Sequence, residues 1–229
     1  ILVALFTLLL SSTALANTAI KGMKNSTVSS DKATLYIDEN NTLWGYGQLR
    51  MNYDGRSDFD PRDSVKEPIR IMEDVAYVKA CDQNNFAIKT DGSLWSWGYS
   101  RKGLLGNGTL EDSWMPQKIM DNVIMVDANC NTAMAITSDN RLWCWGDEGI
   151  GGHKDEFGEW AISGPTPKVI FTDAVYVSVN SKNFAYIKTD GSLWYMGANG
   201  RAQSGTGLTD EWVSIPKKVM DDVTCVKLK

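Results

Sequence analysis

The sequence predicts an all-β chain folded as a β-propeller, and three observations carry that prediction. The pair Leu-Trp recurs at Leu43-Trp44, Leu94-Trp95, Leu142-Trp143 and Leu193-Trp194, with tryptophan intervals of 51, 48 and 51 residues. A turn dipeptide stands just ahead of each pair, and a glycine follows three residues after each tryptophan. No segment after Ala16 sustains a 3.6-residue apolar period over three turns, so helices are not expected. Units of ~50 residues that cover both sheet faces only by stacking on neighbours give a propeller, whereas a linear β-solenoid uses much shorter coils.

Composition narrows the chemistry. Of 229 residues, 43% are hydrophobic and 22% charged, which fits a globular chain and neither a disordered nor a multi-span one. Lys and Arg number 23 against 28 Asp and Glu, a formal charge of −5, so the basic footprint for nucleic acid is missing. One histidine, His153, and four cysteines exclude most histidine-based catalysis and any Cys/His zinc cluster.

Residues 1–10 form an uncharged apolar run, followed by Ser11-Ser12-Thr13-Ala14-Leu15-Ala16 with small residues suited to a cut after Ala16. This reads as a signal peptide over residues 1–16, lacking its basic start. The run is shorter than the ~20 residues of a bilayer-spanning helix, so no membrane span is expected. Export gives a secreted or cell-surface location, where disulfides are permitted. Cys81, Cys130, Cys144 and Cys225 allow three full pairings that spacing does not separate, with isolated buried thiols as the alternative.

Residues 17–229 then form the partial propeller. Asn40-Asn41, Asp91-Gly92, Asp139-Asn140 and Asp190-Gly191 supply the positive φ that two-residue hairpin turns need. In the second unit, Phe86-Ala87-Ile88-Lys89-Thr90 and Ser93-Leu94-Trp95-Ser96-Trp97 flank the turn as strands with bulk on both faces, the mark of a sheet covered on both sides. Pro68, Pro116 and Pro167 each lie 27 residues before the next unit's tryptophan, with apolar columns such as Val75, Val123 and Ala174 between. From each tryptophan to the next proline the count is 24, 21, 24 and 22, so insertions fall in one surface connector. Trp44, Trp95, Trp143 and Trp194 are expected in the repeat core, with Gly47, Gly98, Gly146 and Gly197 in tight turns. The same beat after Pro216 calls for a tryptophan past Lys229, so the chain is expected to stop mid-blade, as a fragment of a longer protein.

These units resemble the RCC1-like (regulator of chromosome condensation) repeats, with the pattern Asp-Gly-x-Val/Leu-Trp-x-Trp-Gly-x-Asn-x-x-Gly-Gln-Leu-Gly-x-Gly. The second unit, Asp91 to Gly108, departs only at Ser100 and Leu104. The fourth keeps Asn199, Gln203, Gly205 and Gly207 but differs at Met196, Ala202 and Ser204, and the first and third lose the glycine-rich segment. The resemblance covers residues 34–226 and implies a propeller of about seven four-stranded blades, four of whose repeats are present. With the leader, it points to a bacterial secreted type.

Most candidate sites dissolve on inspection. Gly149-Ile150-Gly151-Gly152 lacks the strand before it and the helix after it that a phosphate cradle requires, so no cofactor is expected. Asp54, Asp58, Asp60 and Asp63 lack the order of a calcium loop and read as a solvated acidic segment, so no metal is expected either. His153 stands without a nucleophile in triad context. Each connector nevertheless carries an aromatic beside carboxylates: Asp58-Phe59-Asp60, Glu111-Asp112-Ser113-Trp114, Glu156-Phe157-Gly158-Glu159-Trp160 and Asp210-Glu211-Trp212. If the connectors share one face, Phe59, Trp114, Trp160 and Trp212 ring it, with Asp58, Asp60, Asp112, Glu159 and Glu211 as a rim suited to a basic protein partner. The indoles would also suit a cell-surface glycan. In the alternative, these aromatics are staples between neighbouring blades.

The expected function is therefore a non-catalytic exported module that holds a protein partner on a propeller face, inhibition of an enzyme being one version. Two alternatives stand beside it, the first of them implied by the resemblance. One is a guanine-nucleotide exchange regulator, and the other is the targeting module of an enzyme whose catalytic domain lies further along the chain.

Overall fold

Each Leu-Trp pair opens the third strand of a four-stranded antiparallel sheet in the computed structural model, which describes residues 27–29, 32–55, 57–81, 83–147, 164–207 and 210–228. The signal-peptide segment 1–16, the glycine run 149–152, His153, Glu159 and Trp160 lie outside the described residues. The first sheet holds β1 (Thr27–Ser29), β2 (Ala33–Ile37), β3 (Leu43–Gly47) and β4 (Val65–Met72). The second holds β5 (Val75–Ala80), β6 (Asn84–Lys89), β7 (Leu94–Gly98) and β8 (Ser113–Met120). In the third stand β9 (Val123–Ala128), β10 (Thr132–Thr137), β11 (Leu142–Gly146) and β12 (Gly164–Phe171). The fourth comprises β13 (Ala174–Val179), β14 (Asn183–Lys188), β15 (Leu193–Ala198) and β16 (Trp212–Met220). Among the described residues no helix is long and apolar enough to cross a membrane.

The four sheets are blades. Their first strands adjoin in succession, β1 beside β5, β5 beside β9 and β9 beside β13, which makes the first strand innermost. The second strand is enclosed on both faces, and β10 is buried at every position. The fourth strand is outermost and largely exposed, as β4 and β8 show. Apolar side chains meet between blades: Leu43 and Leu49 of the first pack with Val75 and Trp97 of the second. Phe86 and Leu104 of the second pack with Val126 and Trp145 of the third, and Ile136 of the third with Val177 and Phe184 of the fourth. No blade completes its core alone, as stacked repeats require.

The innermost strands are also tied by polar groups. Lys79 Nζ lies 2.5 Å from Asp127 Oδ1, and Asp127 Oδ2 accepts the Val179 N–H at 2.8 Å, so one carboxylate joins three blades. All four cysteines are thiols, with Cys130 and Cys225 exposed and the Cys81 S–H directed at the Ala128 carbonyl.

The hairpin turns differ from the two-residue form expected. Only the second residue of each dipeptide is left-handed, with φ of 61° at Asn41, 83° at Gly92, 63° at Asn140 and 82° at Gly191. The Gly92 N–H donates to the Lys89 carbonyl and the Lys89 N–H to the Ser93 carbonyl, each at 2.9 Å. This is a three-residue loop, a type I turn followed by one left-handed residue. Asp at the first position serves a different end: the Asp91 carboxylate accepts the Ser93 N–H at 2.8 Å.

The repeat tryptophans sit at the margin of the core, Trp143 and Trp194 packing against it without being enclosed. Trp44, Trp95, Trp143 and Trp194 are half-buried, while Trp97 and Trp145, two residues further along, are enclosed. Each of the four indole N–H groups finds its partner at the turn. Trp95 Nε1 donates to Ser93 Oγ at 2.9 Å, which donates to Asp91 Oδ1 at 2.6 Å. Trp194, Ser192 and Asp190 repeat that relay. Trp143 Nε1 uses Thr137 Oγ1 at 3.0 Å, and Trp44 Nε1 uses Asp38 Oδ2 at 2.8 Å. Each indole therefore fastens its own turn.

A backbone ladder joins the blades at this turn end. The N–H of Val75, Val123, Ala174 and Val223 donates to the preceding hairpin's Asn41, Gly92, Asn140 and Gly191 carbonyl, at 2.7–2.9 Å. Back-bonds run from Thr90, Ser138 and Thr189 to the carbonyls of Asp74, Asn122 and Asp173. Those last residues, with Asp222, are left-handed with φ of 59–62°.

Candidate functional site

The connectors leave from the other end of the blades, after the repeat glycines. Gly98 shows why glycine is needed there: its φ is +113°, and a Cβ would lie 2.2 Å from the Gln83 carbonyl oxygen. Gly47, Gly146 and Gly197 repeat this, each with a carbonyl oxygen of its own sheet 2.4 Å from a Cβ. The following N–H, that of Tyr99 in the second blade, donates to the same oxygen at 3.1 Å. The chain is thereby aimed outward over the next blade.

The first connector laps the second blade. Its Asn52 N–H donates to the Trp114 carbonyl at 2.8 Å, and the Phe59 ring lies 5.8 Å from the Trp114 ring. Trp114 in turn meets Tyr99 edge-on at 5.0 Å, and the Arg50 guanidinium stands 5.3 Å over Tyr99. Arg50 is 6% exposed and donates to the Pro61 carbonyl at 2.8 Å. Phe59 and Trp114 thus touch each other, half-buried at the seam between blades. The second connector laps the third blade, where the Gly108 N–H donates to the Pro165 carbonyl and Trp145 Nε1 to the Leu104 carbonyl, both at 2.8 Å.

Two carboxylates of the expected acidic rim, Asp60 and Asp112, are held by the chain itself, and Asp147 nearby is held as well. Asp60 is clamped by Arg62, whose Nη2 lies 2.6 Å away, and hydrogen bonds from Arg62 hold its carboxyl down at about 2. Asp112 Oδ1 accepts the Ser100 N–H at 2.7 Å, and Lys102 pairs with Asp147 at 2.7 Å. Asp58 is exposed, and Glu211 lines a cleft.

That cleft lies in the fourth blade, about 520 Å³ in volume, between Lys182, Ala198, Arg201, Gln203, Glu211 and Trp212. Trp212 is half-buried, and its indole N–H is enclosed without a hydrogen-bond acceptor. Two cations, one carboxylate and an unused donor therefore surround an aromatic wall. Among the described residues no group of three or more His, Cys, Asp or Glu side chains could hold a metal ion. The sequence singled out Trp212 and Glu211 but missed Lys182, Arg201 and Arg50. The αL junction residues were legible as the Asp or Asn directly before each of Val75, Val123, Ala174 and Val223.

Residues 91–136 match the family described as the regulator of chromosome condensation (RCC1) repeat. Yeast RCC1 (Prp20), solved with Kap60 bound, is similar at 17% identity and a TM-score of 0.64, over 85% of this chain and 48% of that one. Human WBSCR16 gives 17% and 0.65, over 85% of this chain and 53% of its own. Prp20p from Saccharomyces cerevisiae, studied for its binding to Gsp1p and histones, gives 19% and 0.64 over 85% and 50%. The chain spans about half the length of these solved structures. No curated protein matches it by sequence. Residues 91–136 thus match an RCC1 repeat, and the four blades, built on one plan, share the β-propeller fold of these solved structures.

Proposed function

We propose that the chain is a non-catalytic binding module that holds a protein partner on its connector face. The observation that carries this reading is the cleft at Trp212, where an aromatic wall, a buried donor and the charges of Lys182, Arg201 and Glu211 converge. Aromatic anchors with a polar surround are the composition of protein hot spots. The solved relatives described as bound to Kap60, or as binding Gsp1p and histones, support a protein as the class of partner. The partner need not be strongly basic, because Asp60 and Asp112 are engaged within the chain. The apolar leader supports action outside the cell.

The test is photo-crosslinking from Gln203, beside the cleft, against a control at exposed Lys66 on β4, followed by affinity measurement with the protein recovered. Trp212→Ala is expected to weaken binding about tenfold or more while the thermal midpoint stays within a few degrees. Equal crosslinking from both positions, or unchanged affinity in Trp212→Ala, would exclude this face.

A further inference from the structure

At the opposite end of the blades, every repeat indole lies beside a junction between hairpin and turn, and its flanking residues follow a pattern. Six residues before the tryptophan stand Asp38, Lys89, Thr137 and Lys188 in the four blades. Across the sheet from it stand Arg70, Lys118, Val169 and Lys218. Among these four indoles, Trp143 alone has a cation at neither position. In the fourth blade the Lys188 ammonium sits over the Trp194 ring, 4.7 Å from its centroid. In the second, Lys89 reaches across the junction to Asp74 at 3.8 Å. At the junction between the second and third blades, with Thr137 in that place, there is instead an open cleft of about 380 Å³.

The cleft is lined by Met120, Asp121 and Asn122 of one blade and by Thr137, Asp139 and the half-buried Trp143 of the next. Its carboxylates have exposed ion-pair partners: Asp121 pairs with Lys118 at 2.7 Å and Asp139 with Arg141 at 3.2 Å, all side chains roughly half exposed or more. Such pairs are weak and exchangeable. Thr137 Oγ1 also donates to Asp139, at 2.5 Å.

We propose that this cleft accepts the side chain of a lysine from a protein partner. An ammonium over an indole face, flanked by carboxylates, is a favourable cation–π and ionic site. The chain itself places a lysine ammonium over the Trp194 ring in the fourth blade. The partner's lysine would supply in trans what Lys188 supplies in cis. This site lies at the far end of the blades from the Trp212 cleft and does not depend on it.

The experiment follows the indole N–H resonances of the ¹⁵N-labelled full chain during titration with pentalysine, Trp143 being assigned through Trp143→Phe. A saturable shift of the Trp143 signal, larger than those of Trp95 and Trp194, is expected, and none with fully Nε-acetylated pentalysine. Thr137→Lys combined with Arg141→Ser restores the arrangement of the second and fourth blades and fills the cleft from within. That variant should weaken pentalysine binding about tenfold. Asp121→Asn leaves the hairpin untouched and should weaken it about threefold, so the proposal stays testable if the double variant misfolds. Equal shifts at all three indoles, a response to the acetylated peptide, or undiminished binding by Asp121→Asn would overturn it.

Discussion

Replacing Gly98 by alanine separates two costs that a left-handed glycine conceals. The φ of +113° strains any side-chain-bearing residue, by about 1–2 kcal/mol. The second cost is contact: the new Cβ would lie 2.2 Å from the Gln83 oxygen and 3.1 Å from Asn84 Cα, where real Cβ atoms essentially never come within 3.0 Å. The loop between β5 and β6 must then retreat by nearly an ångström. That loosens the Tyr99 N–H bond to the Gln83 carbonyl, now 3.1 Å, at about 1 kcal/mol, and disturbs the buried Asn84 by a similar amount. The total is about 3–4 kcal/mol, on the order of 10 °C in thermal midpoint for a chain of this size. Gly108 is the control. Its φ is +83° but a Cβ there meets nothing within 4 Å, so Gly108→Ala should cost only about 1–2 kcal/mol. Urea unfolding of both variants measures the difference. Equal losses would refute the argument that the repeat glycine is held by close approach as well as by φ.

Asp127→Asn leaves the Lys79 ammonium, three-quarters enclosed, without its anion, and should cost about 2 kcal/mol in denaturant unfolding, below a fully buried pair because both partners touch solvent. Asp60, held at about 2 by Arg62, has a depressed carboxyl, so its share of stability is present above the usual carboxylate range and is lost as pH falls through about 2. Carbon-detected NMR titration should find that midpoint low, and Arg62→Gln should move it up towards an ordinary carboxylate. Burial pushes the Cys144 thiol up to about 12. Iodoacetamide at pH 8 should therefore modify the exposed Cys130 and Cys225 at least about tenfold faster, read by peptide mass spectrometry.

How far the sequence could be read depended on which interactions repeat. Strand order, the four hairpins and the glycine column follow from local chemistry restated four times, and Asp91-Gly92 announces a turn wherever it occurs. The turn's length escaped because the same dipeptide fits two hairpin geometries, and the Lys89–Gly92 bond that separates them is invisible in a pattern. The depth of Trp95 escaped for a related reason. Hydrophobicity argues for burial, but the indole N–H finds Ser93 at the turn, and Trp97 fills the core. On the connector face, Phe59 and Trp114 look independent in sequence, 55 positions apart, and only the overlap of one blade's connector on the next brings their rings together.

The two ends of the blades consequently offer specificity by different means. At the turn end, the same backbone bonds recur at each described junction, from Val75 N–H to Asn41 onward, so the geometry is fixed and only side chains change the site. Exchanging Lys for Thr137, with Ser at 141 to take over the Trp143 indole bond, alters the charge over an indole on the pattern of the second and fourth blades. At the connector end, length and composition vary from blade to blade. A change there alters which ring is covered, as Phe59 covers part of Trp114 while the Trp212 cleft stays open. Turn-end sites should therefore respond to single charge substitutions with little loss of stability. Connector-end sites such as the Arg50–Tyr99–Trp114 stack combine recognition with blade cohesion, so Arg50→Ala should lower the thermal midpoint as well as alter that face.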